Sequence, residues 1–166
     1  MLERDELLER VKEEALRDGW LRDGRTIVVA VSGGPDSMAL LHMMVSLGRE
    51  MPLSSVAAHV NHGFRGAESE REAELVRSAA ERWNVPLAMA AIDVPAYIEE
   101  TGMNAQEAAR DRRYDFLRRT AEAHGADAIV LGHHADDQAE TVLMRLLRGA
   151  GIGGLAAIPY RRAGNR

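Results

Sequence analysis

Apolar positions along this chain follow two rhythms. In residues 2–16, Leu7, Leu8, Val11, Ala15 and Leu16 recur every three or four positions with charges between them, and Gly19 follows. That spacing predicts an amphipathic helix with a glycine stop. Ile27-Val28-Val29-Ala30-Val31 is instead a continuous β-prone run, the pattern of a strand buried on both faces. Six small or polar residues interrupt it, and Met38-Ala39-Leu40-Leu41-His42-Met43-Met44 starts the next helix. The outline then repeats. Residues 56–60 predict a strand, 68–83 a helix, 87–94 a strand, 105–123 a helix stopped near Gly125, 128–131 a strand and 136–147 a helix. Strands alternating with helices predict an α/β fold, a Rossmann-like, doubly wound parallel sheet with helices on both faces. There is no convincing internal repeat and no low-complexity segment.

Composition narrows the picture in a few places. The 166 residues fit one domain better than two. Apolar runs such as those at residues 26–31 and 126–131 are far too short to span a bilayer. The first six residues are highly charged, without the apolar middle of a signal peptide, so a cytoplasmic location is expected. There is no cysteine, which removes disulfides, thiolate metal ligands and thiol nucleophiles together. Lys12 is the sole lysine, against twenty arginines.

The net charge of −5 is unevenly spread. From Thr141 onward there is no acid but five arginines, Arg145, Arg148, Arg161, Arg162 and Arg166, which leaves about −10 on the remainder. A basic tail suits phosphates, but by itself this one reads as a solvated helix end and linker. Gly149-Ala150-Gly151-Ile152-Gly153-Gly154 reads as a flexible joint, a hinge or lid. Ala163-Gly164-Asn165-Arg166 reads as a turn. Residues 1–166 are therefore expected to be a single nucleotide-binding domain of a longer enzyme.

The chemistry lies at the predicted carboxyl ends of the strands, where doubly wound folds bind ligands. Ser32-Gly33-Gly34-Pro35-Asp36-Ser37 joins the first such strand to its helix. Its glycines permit positive φ and close backbone approach, the helix start favours an anion, and the serines add hydroxyls. The segment reads as a phosphate cradle. It is neither a Walker A loop nor a dinucleotide fingerprint, since it lacks Gly-Lys-Ser/Thr and Gly-x-Gly-x-x-Gly. With no lysine nearby, neutralising charge must come from Mg²⁺ or arginine. Asp36 beside phosphates makes sense as a metal ligand; the plainer alternative is a carboxylate that caps the helix.

This hexapeptide resembles the signature of the PP-loop ATP-pyrophosphatases. The resemblance implies an adenine nucleotide alpha hydrolase-like fold. It also implies a loop that grips the β,γ-pyrophosphate of ATP while chemistry occurs at the α-phosphate. Three further segments narrow it. His59-Val60-Asn61-His62-Gly63-Phe64-Arg65 follows the second strand. Glu107-Ala108-Ala109-Arg110-Asp111-Arg112-Arg113-Tyr114-Asp115-Phe116-Leu117 lies on the long helix. Gly132-His133-His134-Ala135-Asp136-Asp137-Gln138-Ala139-Glu140-Thr141 follows the fourth strand. Together, over residues 25–162, they resemble the tRNA(Ile)-lysidine synthetase family, with Phe64 where leucine is usual and without that family's C-terminal tRNA-holding region. The implied reaction joins the ε-amine of free lysine to C2 of the wobble cytidine of tRNA(Ile), through an adenylated base, releasing AMP and pyrophosphate.

The resemblance implies roles residue by residue. Ser32, Gly33, Gly34, Pro35, Asp36 and Ser37 bind ATP, with adenine recognised at His59 and Val60 mainly through backbone. Asp36 and Asp137 hold Mg²⁺. Arg110, Arg113, Asp137 and Glu140 meet substrate, and Asp36, Arg113, His133 and Asp137 are the catalytic set. Arg110 and Arg113, three apart, share a helix face and suit forked bonds to phosphate or carboxylate. Asp137, Glu140 and Thr141 also fall on one face if that segment is helical. His62 and Arg65 read equally as site rim or as polar loop. His133 and His134 read as loop histidines or as groups reaching the α-phosphate, and zinc is rejected for want of a tetrahedral ligand set. A homodimer is expected from family habit.

Three other readings compete. A cysteine-dependent tRNA thiolase is excluded by composition. An NAD synthetase-like enzyme fits the loop but not the Arg110–Leu117 and His133–Thr141 segments as well, while a cysteine-independent tRNA modifier of the same superfamily stays open. A non-catalytic, universal-stress-like ATP-binding module would not need Asp36, Arg113, His133 and Asp137 together.

Overall fold

A computed structural model describes residues 4–17, 24–62, 66–135 and 138–144. Helix α1 spans Arg4–Arg17 and strand β1 Arg25–Ala30. Helix α2 spans Pro35–Glu50, β2 Leu53–Asn61, α3 Ala67–Arg82 and β3 Leu87–Ala91. Helix α4 spans Val94–Thr101, α5 Ala105–His124, β4 Ala128–Ala135 and β5 Gln138–Met144.

The sheet order is β3-β2-β1-β4-β5. Its first four strands are parallel, with Val28 opposite Val56 and Ile129, and His59 opposite Met89. β1 is the central strand, and Ile27, Val28 and Val29 are wholly buried although neighbours point to opposite faces. The continuous apolar run is thus what a strand covered on both sides requires. Right-handed crossovers place α2 and α3 on one face. The reversal of direction from β3 to β4 sends α5 to the other. From α2 the core takes Leu40, Leu41, Met44 and Leu47; from α5 it takes Leu117 and Ala121. Each of these Leu and Met side chains contributes roughly 1.5–3 kcal/mol of burial.

The amino ends of the sheet are stapled by charge. Arg25, 6% exposed, donates to Asp127 Oδ1 at 3.1 Å, while the Thr26 N–H donates to Asp127 Oδ2 at 3.0 Å. Among the described residues no helix is long and apolar enough to cross a membrane.

Three elements differ from the sequence expectation. The strand predicted over residues 87–94 stops at Ala91, because Asp93 caps α4 by accepting from the Ala96 N–H at 3.0 Å. Pro95 then fits the first turn of that helix. β4 runs on through His133 and His134 instead of ending at Leu131. The helix expected over residues 136–147 is replaced by β5, antiparallel to β4, so the sheet is not wholly parallel. Thr141 and Val142 favour an extended chain, and the outer edge of β4 offers backbone groups to pair.

Candidate nucleotide site

Strand β1 delivers the chain into the cradle at its carboxyl end. Val31 N–H still donates to Ala58 O at 2.8 Å, so the loop starts from a fixed point. Gly33 then takes φ +94°, a conformation that side-chain-bearing residues rarely adopt. A Cβ on Gly33 would also lie 2.9 Å from Glu72 Cβ and 3.2 Å from Glu72 Cα of α3. The glycine is therefore required twice, by backbone angle and by close approach.

The serines hold the loop in shape. The Ser32 N–H donates to Ser37 Oγ at 3.0 Å, and Ser37 Oγ donates to Gly34 O at 3.1 Å. Ser37 has one hydroxyl proton, so the 3.0 Å contact between the two hydroxyls must run from Ser32 to Ser37. The Gly34 N–H in turn donates to Ser32 Oγ at 3.2 Å. Gly34 is the N-cap of α2 and no side chain caps it, with Pro35 opening the helix and Asp36 in its first turn. Uncapped first-turn N–H groups and the positive end of the helix dipole leave this loop shaped for an anion.

A cavity of about 500 Å³ opens beside the loop. Ser32, Gly34 and Ser37 form one wall, and β2 supplies His59, Val60 and Asn61. Helix α3 adds Ser69 and Glu72, α5 adds Arg113 and Leu117, and Ala30 and Leu131 form part of an apolar floor. Arg113 is half-buried, and its Nε has no hydrogen-bond partner. Its guanidinium carbon lies 5.5 Å from the Tyr114 ring centroid, a cation–π distance. His62 also lines the cavity, and its pKa is lowered, first by burial and then by the positive charge of Arg113 and by His59.

The structure thus joins Ser32, Gly34, Ser37, His59, Val60 and Arg113 around one space, with Gly33, Pro35 and Asp36 in the same loop. Arg110 is exposed and outside the lining, its guanidinium carbon 5.6 Å from the Tyr114 ring centroid. His133 lies in β4 and Glu140 in β5. Asp137, Arg65 and the glycine joint at 149–154 lie outside the described residues. Glu72, Ser69 and the apolar floor were not singled out by sequence, and Asn61 stood in a quoted segment without a role. The apolar positions carried only a core signal, and Glu72 only that of a helical surface.

Among the described residues no group of three or more His, Asp or Glu side chains is arranged to hold a metal ion. Mg²⁺ is typically held by one or two carboxylates together with substrate phosphates. Exposed Asp36 at the rim of the cradle therefore fits a metal that arrives with the nucleotide and does not form a preassembled cage.

The sequence matches the PP-loop domain family from residue 4 to residue 166. The chain belongs to this family. The PP-loop domain is an ATP-binding domain. Similar curated proteins include the tRNA(Ile)-lysidine synthase of Geobacillus kaustophilus, 46% identical over 156 residues, 94% of this chain and 34% of that protein. The Bacillus subtilis protein of the same name is 49% identical over 143 residues, 85% of this chain and 30% of that protein. The chain spans about a third of the length of these relatives. Among solved structures, the U34-tRNA thiolase NcsA from Methanococcus maripaludis, with its 4Fe-4S cluster, aligns with TM-score 0.64 and 17% identity over 80% of this chain and 48% of its own. NMN synthetase from Francisella tularensis aligns with TM-score 0.54 and 16% identity over 75% of this chain and 50% of its own. At those identities the likeness establishes a shared α/β fold. The cysteine-free chain offers no thiolate for a cluster like that of NcsA.

Proposed function

We propose that this PP-loop domain is the ATP-cleaving part of an enzyme that converts the wobble cytidine of tRNA(Ile) to lysidine. The observation that carries the reading is one cavity in which the Ser32–Ser37 cradle, the end of β2 and Arg113 converge, in a chain 42–49% identical to proteins named tRNA(Ile)-lysidine synthase.

The β,γ-phosphates lie on the loop, where backbone N–H groups and the start of α2 meet their charge. Adenine lies against the end of β2 at His59 and Val60, over the apolar floor. The cytidine O2 attacks the α-phosphorus as the bond to pyrophosphate breaks. The lysine ε-amine then attacks C2, the C2–O bond breaks, AMP leaves and the amine gives up a proton. Arg113 holds charge on the phosphates by forked hydrogen bonds. Asp36, with Asp137, would hold Mg²⁺, which supplies neutralisation of the pyrophosphate charge. Glu140 and Arg110 are assigned to substrate, and His133 to the α-phosphate or to proton transfer.

The domain alone is expected to bind ATP but to modify tRNA poorly, so the test incubates the full-length enzyme that carries it with ATP, Mg²⁺, labelled lysine and a tRNA(Ile) transcript bearing a wobble cytidine. AMP, pyrophosphate and label in tRNA should appear in equal amounts. AMP release that needs a different acceptor, with no label in tRNA, would defeat the assignment in favour of a small-molecule PP-loop synthetase.

A further inference from the structure

His59 is 2% exposed yet lines the nucleotide cavity. Its Nδ1 lies 2.7 Å from Val31 O. A carbonyl only accepts, so Nδ1 carries the proton, and in the neutral ring Nε2 is a bare acceptor. That Nε2 is buried and has no hydrogen-bond partner. Buried polar atoms left without partners are rare and costly in folded proteins.

We infer that the His59 side chain is a nucleoside-recognition group, its Nε2 accepting a hydrogen bond from the bound nucleotide while its Nδ1–H fixes the residue just before the phosphate loop. This rests on the ATP reading above and adds a side-chain contact to recognition expected mainly from backbone. An acceptor needs a donor, and a purine nucleotide has few: the ribose hydroxyls and the exocyclic amine. The triphosphate has none when ionised. His59 therefore reads the nucleoside, not the phosphates, and ties its position to the start of the cradle through Val31.

The experiment titrates ATP, 2′-deoxyATP, 3′-deoxyATP and 6-desamino purine riboside triphosphate, each with Mg²⁺, into the wild-type protein and His59→Asn. Asparagine retains a donor where Nδ1–H stood and removes Nε2. One analogue should bind the wild type about tenfold more weakly than ATP, as expected for one hydrogen bond. On His59→Asn that analogue and ATP should bind alike, and the analogue that does so identifies the donor. In case the variant misfolds, nitrogen-15 spectra of the wild-type imidazoles provide a second readout. The unprotonated His59 nitrogen should shift on addition of Mg²⁺-ATP while the protonated one keeps its bond. If ATP binds the wild type but no analogue loses its penalty in the variant, or the Nε2 resonance does not move, His59 has no such role and the ATP site stands. If ATP does not bind the wild type, the ATP reading itself fails and takes this one with it.

Discussion

Gly33→Ala isolates how the phosphate loop is built. The substitution adds one methyl group at φ +94°, and holding a non-glycine residue in sparsely populated backbone costs about 1–3 kcal/mol. The methyl also meets Glu72 Cβ at 2.9 Å and Glu72 Cα at 3.2 Å, and overpacking of this kind costs about 1–3 kcal/mol more. The sum, about 2–6 kcal/mol, is a large share of the 5–15 kcal/mol typical of a folded domain. For a chain of this size it corresponds to a fall in Tm of roughly 4–24 °C. Gly102→Ala is the control: φ is +73° there but nothing lies within 4 Å, so the backbone cost of about 1–2 kcal/mol stands alone. Glu72→Ala should not fully rescue Gly33→Ala, because it removes only Cγ at 3.3 Å and retains the nearer Cβ and Cα. Thermal unfolding of the three variants by circular dichroism decides it. Equal Tm values for Gly33→Ala and Gly102→Ala would refute the close approach of α3 to the loop, as would full rescue by Glu72→Ala.

Asp36→Ala should change Tm little, since the residue is exposed and such substitutions usually stay within about 0.5 kcal/mol. It should also abolish the Mg²⁺ dependence of ATP binding in calorimetry; retained dependence would remove Asp36 from the metal. Arg113→Gln should weaken ATP by about 10–150-fold, the value of roughly 1.5–3 kcal/mol for a bond to a charged group. It should also raise the His62 pKa in NMR titration, because the Arg113 charge helps to lower it. Because the folded His62 pKa lies below the ordinary 6.5, its contribution to stability is complete above that value and is lost as pH falls below it. Chemical denaturation of His62→Asn should then show a flatter acid limb than wild type, and parallel limbs would count against the burial argument. Asp127→Ala strands the buried Arg25 guanidinium; with Asp127 itself 36% exposed the loss should be about 2 kcal/mol. ATP affinity should be unchanged, because this pair sits at the opposite end of the strands from the cradle.

Legibility in the sequence followed how local the physics was. The buried run at Ile27–Val31 and the Gly125 stop of α5 are local signals, and they placed the strands, the helices and the cradle between them. The Asp93-Val94-Pro95 cap of α4 was an equally local signal, but it was overridden by the apolar run leading into it. Residues 136–147 carry Leu143, Leu146 and Leu147 at helical spacing and also a β-prone Thr141-Val142-Leu143, so periodicity could not arbitrate, and pairing with β4 did. In the site, Ser32, Ser37 and Arg113 were readable as residue types in a motif. Glu72 was not, because its position depends on how α3 settles over Gly33, some forty residues away. The bare Nε2 of His59 was hidden for the same reason: only the fold brings its other nitrogen to Val31.

The place of β1 in the sheet has a consequence for how the protein is made. β1 is synthesised first among the strands, yet one of its edges is completed only by β4, about a hundred residues later. Until that segment leaves the ribosome, the emerging chain holds an apolar strand with an open edge, which is prone to pair wrongly. It also lacks Leu117 and Leu131 beneath the cavity. The loop sequence is therefore present early, but the pocket can take a nucleotide only once the nascent chain is long enough for Leu131 to dock. Nucleotide capture by arrested chains of increasing length should appear abruptly at that point.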